Sequence, residues 1–184
     1  MERLIRTGQY QGERVLAACG NAVVVLYFID HLRVRAPIIL ANGDDVLDDT
    51  TTWSVACSKN FVISGSNTNK ISLWHKDNPN TRYLIHGCTH NVPSVDISKD
   101  EQYIAAACVD SHVRLWRLKM GSLPMDEKRP SSGHSQQSFY ELVCSYKPST
   151  QYGWMIRFVS EENFLVIPDS DSFWTMPRQN DQKI

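Results

Sequence analysis

Three stretches of this sequence superpose on one another, and that superposition restricts the fold more than any other feature. Ile104 to Trp116 aligns without a gap on Val62 to Trp74 at a shift of 42 residues, and on Val15 to Tyr27 at a shift of 89. Each stretch is a short apolar run, a polar turn and an alternating run that ends in an aromatic residue, which spells strand, tight turn, strand. The segments ahead repeat as well. Ser94-Val95-Asp96-Ile97 leads into Tyr103-Ile104, Ser54-Val55-Ala56-Cys57 into Phe61-Val62, and Met155-Ile156-Arg157-Phe158 into Phe164-Leu165, each across a short polar turn. A further strand is available at Arg82 to His86 in the second copy and at Tyr140 to Cys144 in the third. One unit therefore reads as strands a, b, c and d, antiparallel and consecutive.

Four such strands per repeat of about 40–45 residues match the spacing of a propeller blade. The chain resembles WD40-repeat proteins, on Leu115-Trp116 and Leu73-Trp74 at the ends of strand c, His90 lying 26 positions before Trp116, and Asp110 in the b–c turn. The resemblance implies a buried hydrogen-bonded tetrad of histidine, serine or threonine, aspartate and tryptophan in each blade. His90, Asp110 and Trp116 match it in the third unit, where Ala106 stands in place of the hydroxyl. In the second, Ser64 and Trp74 match, with Thr68 and Thr50 at the aspartate and histidine positions; the first has Asn21 and Tyr27. The expected fold is all-β: an incomplete WD40-type propeller over 1–175 with about three and a half blades and an unclosed ring. The blades fall at about 4–40, 51–86, 92–146 and 154–174, followed by a polar tail at 176–184. A Pro/Gly/Ser-rich insertion at 119–138 lacks apolar periodicity and reads as a solvated loop.

A narrower resemblance rests on Arg6-Thr7-Gly8, Val15 to Cys19, Trp53, Ser66-Asn67 and His90-Asn91-Val92-Pro93-Ser94. It is to a fungal WD40 family named for constitutive transcription of ribonucleotide reductase genes. That resemblance, over about residues 4–116, implies a nuclear regulator of those genes or an adaptor of a cullin ubiquitin ligase.

Composition narrows the function classes. With 19 Lys and Arg against 20 Asp and Glu, the formal net charge of -1 gives no general attraction to nucleic acid or anionic membrane. The longest apolar run, 22–29, is too short to cross a bilayer, and no basic-then-apolar leader opens the chain. The five cysteines are odd in number and mostly set in apolar runs, as expected of reduced thiols in the nucleus or cytoplasm.

The chemistry-bearing clusters are sparse. His86, Cys88 and His90 alternate, so an extended strand would turn two imidazoles and a thiol to one face, as a zinc-dependent hydrolase could use. A fourth ligand has no sequence signal, and no cofactor is implied. A Ser-His-Asp triad is disfavoured because G-x-S-x-G is missing and Ala106 faces the histidine's expected place. Asp44, Asp45, Asp48 and Asp49 lack calcium-loop spacing and read as a solvated loop. No glycine-rich phosphate cradle occurs. Trp53 and Trp154 superpose just ahead of strand a, and Asn69, His112 and Asp171 lie in or near b–c turns on the corresponding face. Together they form a candidate protein-binding rim, aromatic groups there burying much area at small entropic cost.

The sequence thus points to a non-catalytic scaffold or adaptor whose partners are other proteins, with self-association available through exposed blade edges. The competing readings are the metal-dependent hydrolase and a truncated product with no function of its own.

Overall fold

The computed structural model describes residues 5–31, 35–43, 50–119, 139–147 and 154–159. They form twelve strands: β1 (Ile5–Tyr10), β2 (Glu13–Gly20), β3 (Val23–Phe28), β4 (Ile38–Ala41), β5 (Thr52–Cys57), β6 (Phe61–Ser66), β7 (Ile71–His75), β8 (Asn78–Ile85), β9 (Ser94–Ile97), β10 (Tyr103–Ala107), β11 (Val113–Leu118) and β12 (Tyr140–Tyr146). One 3-10 turn, Ile29–His31, follows β3, and the described residues contain no α-helix. The strands make three four-stranded antiparallel sheets in the orders β1-β2-β3-β4, β5-β6-β7-β8 and β9-β10-β11-β12. Each sheet is a run of consecutive strands, so no connection crosses between sheets except the linker to the next.

Burial shows how the sheets stand. In β2 and β3, and again in β11, buried residues alternate with partly exposed ones, as in a sheet covered on one face. In β6 and β7 every residue is buried. The middle sheet is thus covered on both faces and the first on one, while in the third β10 is buried on both faces and β11 on one, as in three blades standing side by side. The two apolar layers agree. Tyr10, Val24, Leu26, Phe28 and Leu40 of the first sheet pack with Val55, Val62 and Trp74 of the second. Ile63, Ile71, Leu73 and Ile85 of the second pack with Val95, Ile104 and Trp116 of the third. At about 1.5–3 kcal/mol for each large side chain fully buried, these layers dominate the stability of the stack.

The blades touch closely. A Cβ on Gly65 would lie 2.4 Å from the Val92 carbonyl oxygen of the segment entering the third blade, so only glycine fits there. Ser66 O accepts from Val92 N at 2.8 Å, joining the same two elements. The buried carboxylate of Glu101, in the a–b turn of the third blade, accepts from Asn60 N at 2.7 Å and Asn60 Nδ2 at 2.6 Å in the corresponding turn of the second.

Repetition extends to backbone conformation. Ala22, Asn69 and Ser111, equivalent in the three aligned stretches, have φ of 52°, 54° and 69°. Each is the left-handed residue that closes its b–c turn, a conformation asparagine tolerates best and alanine poorly. A second repeated contact joins strands a. Val95 N donates to Ser54 Oγ at 3.0 Å, and Ile156 N donates to Ser94 Oγ at 3.2 Å. Residues 154–159 thus meet the third blade by the contact with which that blade meets the second.

The structure departs from expectation in two places. The strand expected over 155–158 does not form as a ladder strand; the segment is held by Ser94 and by Asp96, which accepts from Phe158 N at 2.7 Å. Its expected neighbours, residues 164 and 165, lie outside the described residues. The d strand of the second blade starts at Asn78, four residues before Arg82, and carries Pro79. Proline is tolerated because β8 is the outermost strand of its sheet. The insertion at 120–138, Asp171, the rest of the fourth unit and the tail 176–184 lie outside the described residues.

Candidate functional site

The b–c turn of the second blade and the linker that enters the third blade enclose a shallow polar groove of about 340 Å³, lined by Asn67, Thr68, Asn69, Thr89, His90 and Asn91. Backbone and side-chain bonds hold its lining. Thr51 N donates to Asn67 Oδ1 at 2.8 Å, Val109 N donates to Asn91 O at 2.9 Å, and the Ser66 and Thr68 hydroxyls are 2.7 Å apart. These bonds fix the turns, while the exposed Asn69 and His90 side chains at the surface remain available to a partner.

The wall of the groove at the third blade is set by Asp110. Its carboxylate accepts from Thr89 Oγ1 at 2.6 Å, Thr89 N at 3.2 Å, His112 N at 3.0 Å and Arg114 Nη1 at 3.0 Å; Arg114 Nη2 adds a contact of 2.8 Å. The Asp110 and Arg114 side chains are only 11% and 7% exposed. Burial alone would raise the Asp110 carboxyl, but hydrogen bonds from Arg114 and Thr89 outweigh it and hold the group well below the usual carboxylate range. The half-buried His112 completes the cluster, its Nδ1 lying 3.0 Å from Asp110 O.

The implied tetrad is assembled differently. His90 is exposed, and its Nδ1 accepts from Asn91 N at 2.8 Å instead of meeting Asp110. Thr89, one residue earlier, supplies the contact to Asp110. Trp116 is fully buried and its Nε1 finds no partner among the described residues, as expected where Ala106 replaces a hydroxyl. In the second blade Ser64 and Trp74 are buried, and Ser64 Oγ likewise has no partner among the described residues.

The metal geometry expected of His86, Cys88 and His90 does not form. Residues 86–93 lie between strands, and Gly87 turns the chain at φ 129°, so alternate residues do not share a face. His86 and His90 are exposed while Cys88 points into the core beside Cys108. The hydrogen bond to Cys108, with burial, pushes the Cys88 thiol up and keeps it protonated. No cluster of three or more His, Cys, Asp or Glu able to hold a metal ion occurs among the described residues.

The aromatic candidates differ from one another. Trp53 is the extra residue of a β-bulge, since Thr52 pairs with Ser66 and Ser54 with Gly65; it is half-buried. A bulge re-aims the side chain it carries. Trp154 is 61% exposed, beside the exposed Met155. Neither lines the polar groove, so the expected rim is not one site: Asn69 lies in the groove, Trp53 on β5 of the second blade, and Trp154 on the segment that follows the third. Sequence reasoning missed Thr89 and Arg114. The signal for Arg114 was present, because an arginine in a strand whose neighbours are apolar requires an acid nearby.

The sequence pattern of the family described as WD domain, G-beta repeat matches residues 79–117, which run from β8 to β11. That stretch is similar to a WD40 repeat. A WD40 repeat-containing protein of Dictyostelium discoideum is 32% identical over 126 residues, covering 65% of this chain and 18% of that protein. A Denticleless protein homolog of Danio rerio is 24% identical over 156 residues, covering 84% of this chain and 21% of its own length. The chain spans about a fifth of the length of these curated relatives. The three sheets, the stacked apolar layers and the repeated b–c turns are those of a partial WD40-type propeller whose sheet does not close.

Proposed function

We propose that this WD40-repeat chain is a non-catalytic platform that binds other proteins through its b–c turn face. The observation that carries the reading is the groove between the second and third blades, whose lining is held by backbone and part-buried side-chain bonds. A surface already fixed in place loses little entropy when a partner docks, so modest contacts suffice for specific affinity. Exposed amide and imidazole groups at Asn69 and His90 offer directional contacts, and Trp53 and Trp154 offer apolar area elsewhere on the surface. The likeness to a WD40 repeat-containing protein and to a Denticleless protein homolog supports this class of role.

Within that class, the narrower role follows the resemblance to the fungal family: a regulator of ribonucleotide reductase genes or an adaptor of a cullin ligase, acting in the nucleus or cytoplasm. Affinity purification from the native cell, with identification of bound proteins, tests both levels. Recovery of a cullin-ligase or transcription complex supports the narrower role. Binding lost on N69A/H90A or on W53A/W154A, with an unchanged melt, supports the groove or the aromatic patch respectively. Capture unaffected by either double change would overturn the proposed face.

A further inference from the structure

Two thiols of the third blade meet where its entering linker touches its b–c turn. Cys88 lies on the linker from β8 to β9, and Cys108 follows β10 directly. Both belong to the apolar layer between the second and third blades, Cys88 at 8% exposure and Cys108 at 0%. Their side chains are hydrogen-bonded to each other. Cys108 Sγ, as a thiol, also donates to His90 O at 3.2 Å.

The place of the pair couples it to the polar groove. Thr89, His90 and Asn91 follow Cys88 in the linker and line the groove. On the turn side, Cys108 N donates to His112 O at 3.0 Å, and Val109 N donates to Asn91 O at 2.9 Å. Residues 86–93 belong to no strand ladder, so the linker opens locally at lower cost than the strands on either side. The chemistry of the pair is uneven. The hydrogen bond from Cys88 outweighs burial and lowers the Cys108 thiol to about 6, which makes Cys108 the nucleophile and Cys88 the donor. The Arg114 charge acts on both sulfurs and favours their ionised form, while the Asp110 charge opposes it.

We propose that Cys88 and Cys108 form a reversible disulfide on reaction with a hydroperoxide, and that this bond regulates the groove. The Cys108 thiolate attacks the terminal peroxide oxygen and breaks the O–O bond; the leaving alkoxide or hydroxide takes a proton from water, and Cys108 becomes a sulfenic acid. Cys88 sulfur then attacks the Cys108 sulfur, and the departing hydroxide leaves as water with the Cys88 proton. Two electrons pass from the two sulfurs to the peroxide, and an external dithiol returns them by exchange. A peroxide of few atoms enters such a site where a bulky aromatic reagent does not. The new bond removes the thiol proton that His90 O accepts and draws Cys88 closer to Cys108 than a hydrogen bond does. The groove wall at 89–91 therefore shifts inward, and partner capture weakens. That consequence rests on the protein-binding reading above; the bond itself does not.

The test uses the full chain with the exposed Cys144 changed to Ser, treated with dilute hydrogen peroxide. The intact mass should fall by two hydrogens, a non-reducing peptide map should join Cys88 to Cys108, and dithiothreitol should restore both thiols. Adding Cys88→Ser should stop the reaction at a sulfenic acid on Cys108, captured by dimedone; if that variant does not fold, the map of the parent decides alone. In the linked chain the amides of residues 89–91 should shift while those of 15–19 hold, and capture of native partners should fall about fivefold. No mass loss in the folded chain would overturn the proposal, as would a link through Cys19 or Cys57, or oxidation that dithiothreitol does not reverse. Unmoved amides at 89–91, or equal capture by the linked and reduced chains, would overturn the regulation. If no link forms while native partners are still captured through Asn69 and His90, this proposal falls and the platform reading stands. If the link forms and neither state captures a partner, the platform reading falls and takes the regulatory role with it.

Discussion

Replacing Asp110 by Ala is the perturbation that most directly tests how the third blade is held. Five contacts converge on this carboxylate, and its partner Arg114 is almost wholly buried. Removing the acid leaves a guanidinium in the protein interior without its counter-ion, a change that costs about 3–5 kcal/mol. It also removes the bond from His112 N that closes the b–c turn. Against a total stability of about 5–15 kcal/mol the loss is large, and with a urea slope of about 2 kcal/mol/M it should lower the midpoint by roughly 2 M. The double variant D110A/R114L removes both charges and should recover much of that loss, because an apolar pair in such a site is close to neutral. Asp110→Asn keeps the turn bonds and isolates the charge if the alanine variant does not fold. Urea unfolding followed by tryptophan fluorescence reads all three. A D110A midpoint within 0.5 M of the parent, or a double variant as unstable as the single, would refute the reasoning, the margin being about 1 kcal/mol.

The same carboxylate sets a pH dependence. Its folded value lies below the unfolded one, so its stabilisation is complete above the unfolded range near 4 and is lost as pH falls toward the folded value. The parent should therefore lose more stability between about pH 5 and 3 than Asp110→Asn does, and parallel curves would remove Asp110 from the account. Gly65→Ala should destabilise by about 1–3 kcal/mol, because its Cβ would strike the Val92 carbonyl and force two blades apart; an unchanged melt would mean the blades are not packed this closely. None of the five cysteines is in a disulfide, and only Cys144 is exposed. Titration with an aromatic disulfide should show one fast thiol, abolished by Cys144→Ser, with Cys19, Cys88 and Cys108 reacting only on unfolding. Fast reaction of Cys108 would show that the third blade opens readily.

The parts of the fold legible in the sequence are those where local pattern and tertiary environment agree. The b–c hairpins at 15–27, 62–74 and 104–116 were readable because the same strand-turn-strand pattern recurs and each copy packs against the next. The beginning of β8 was not. Asn78-Pro79-Asn80 spells a turn, and only its place at the edge of a sheet, where no neighbour requires the proline's missing N–H, allows it to be strand. The site was legible as a face but not as contacts. Asn69 and His90 line the groove, yet the bond to Asp110 comes from Thr89. A one-residue offset in a loop carries no periodic signal, and the left-handed Gly87 redirects the chain just before it. The contact of Cys88 with Cys108 was hidden for another reason: one thiol comes from a linker and the other from a strand end, and only the folding of the third blade brings them together.

Trp116 shows what this arrangement depends on. Its indole nitrogen is buried without a partner among the described residues, Ala106 providing no hydroxyl, so the polar tetrad implied by the family pattern is incomplete in the third blade. The blade nevertheless has the same strand order, b–c turn conformation and interblade contacts as the second, whose Ser64 hydroxyl also has no partner among the described residues. An unpaired buried donor costs about 1–3 kcal/mol, whereas one large side chain buried in the layer contributes about as much and the second layer holds more than a dozen buried residues. The apolar layer outweighs the polar defect. The sequence can therefore drift at tetrad positions while Gly65, the apolar faces and the Asp110–Arg114 pair keep the turns in register. That register is what a binding face made of turns from successive blades requires.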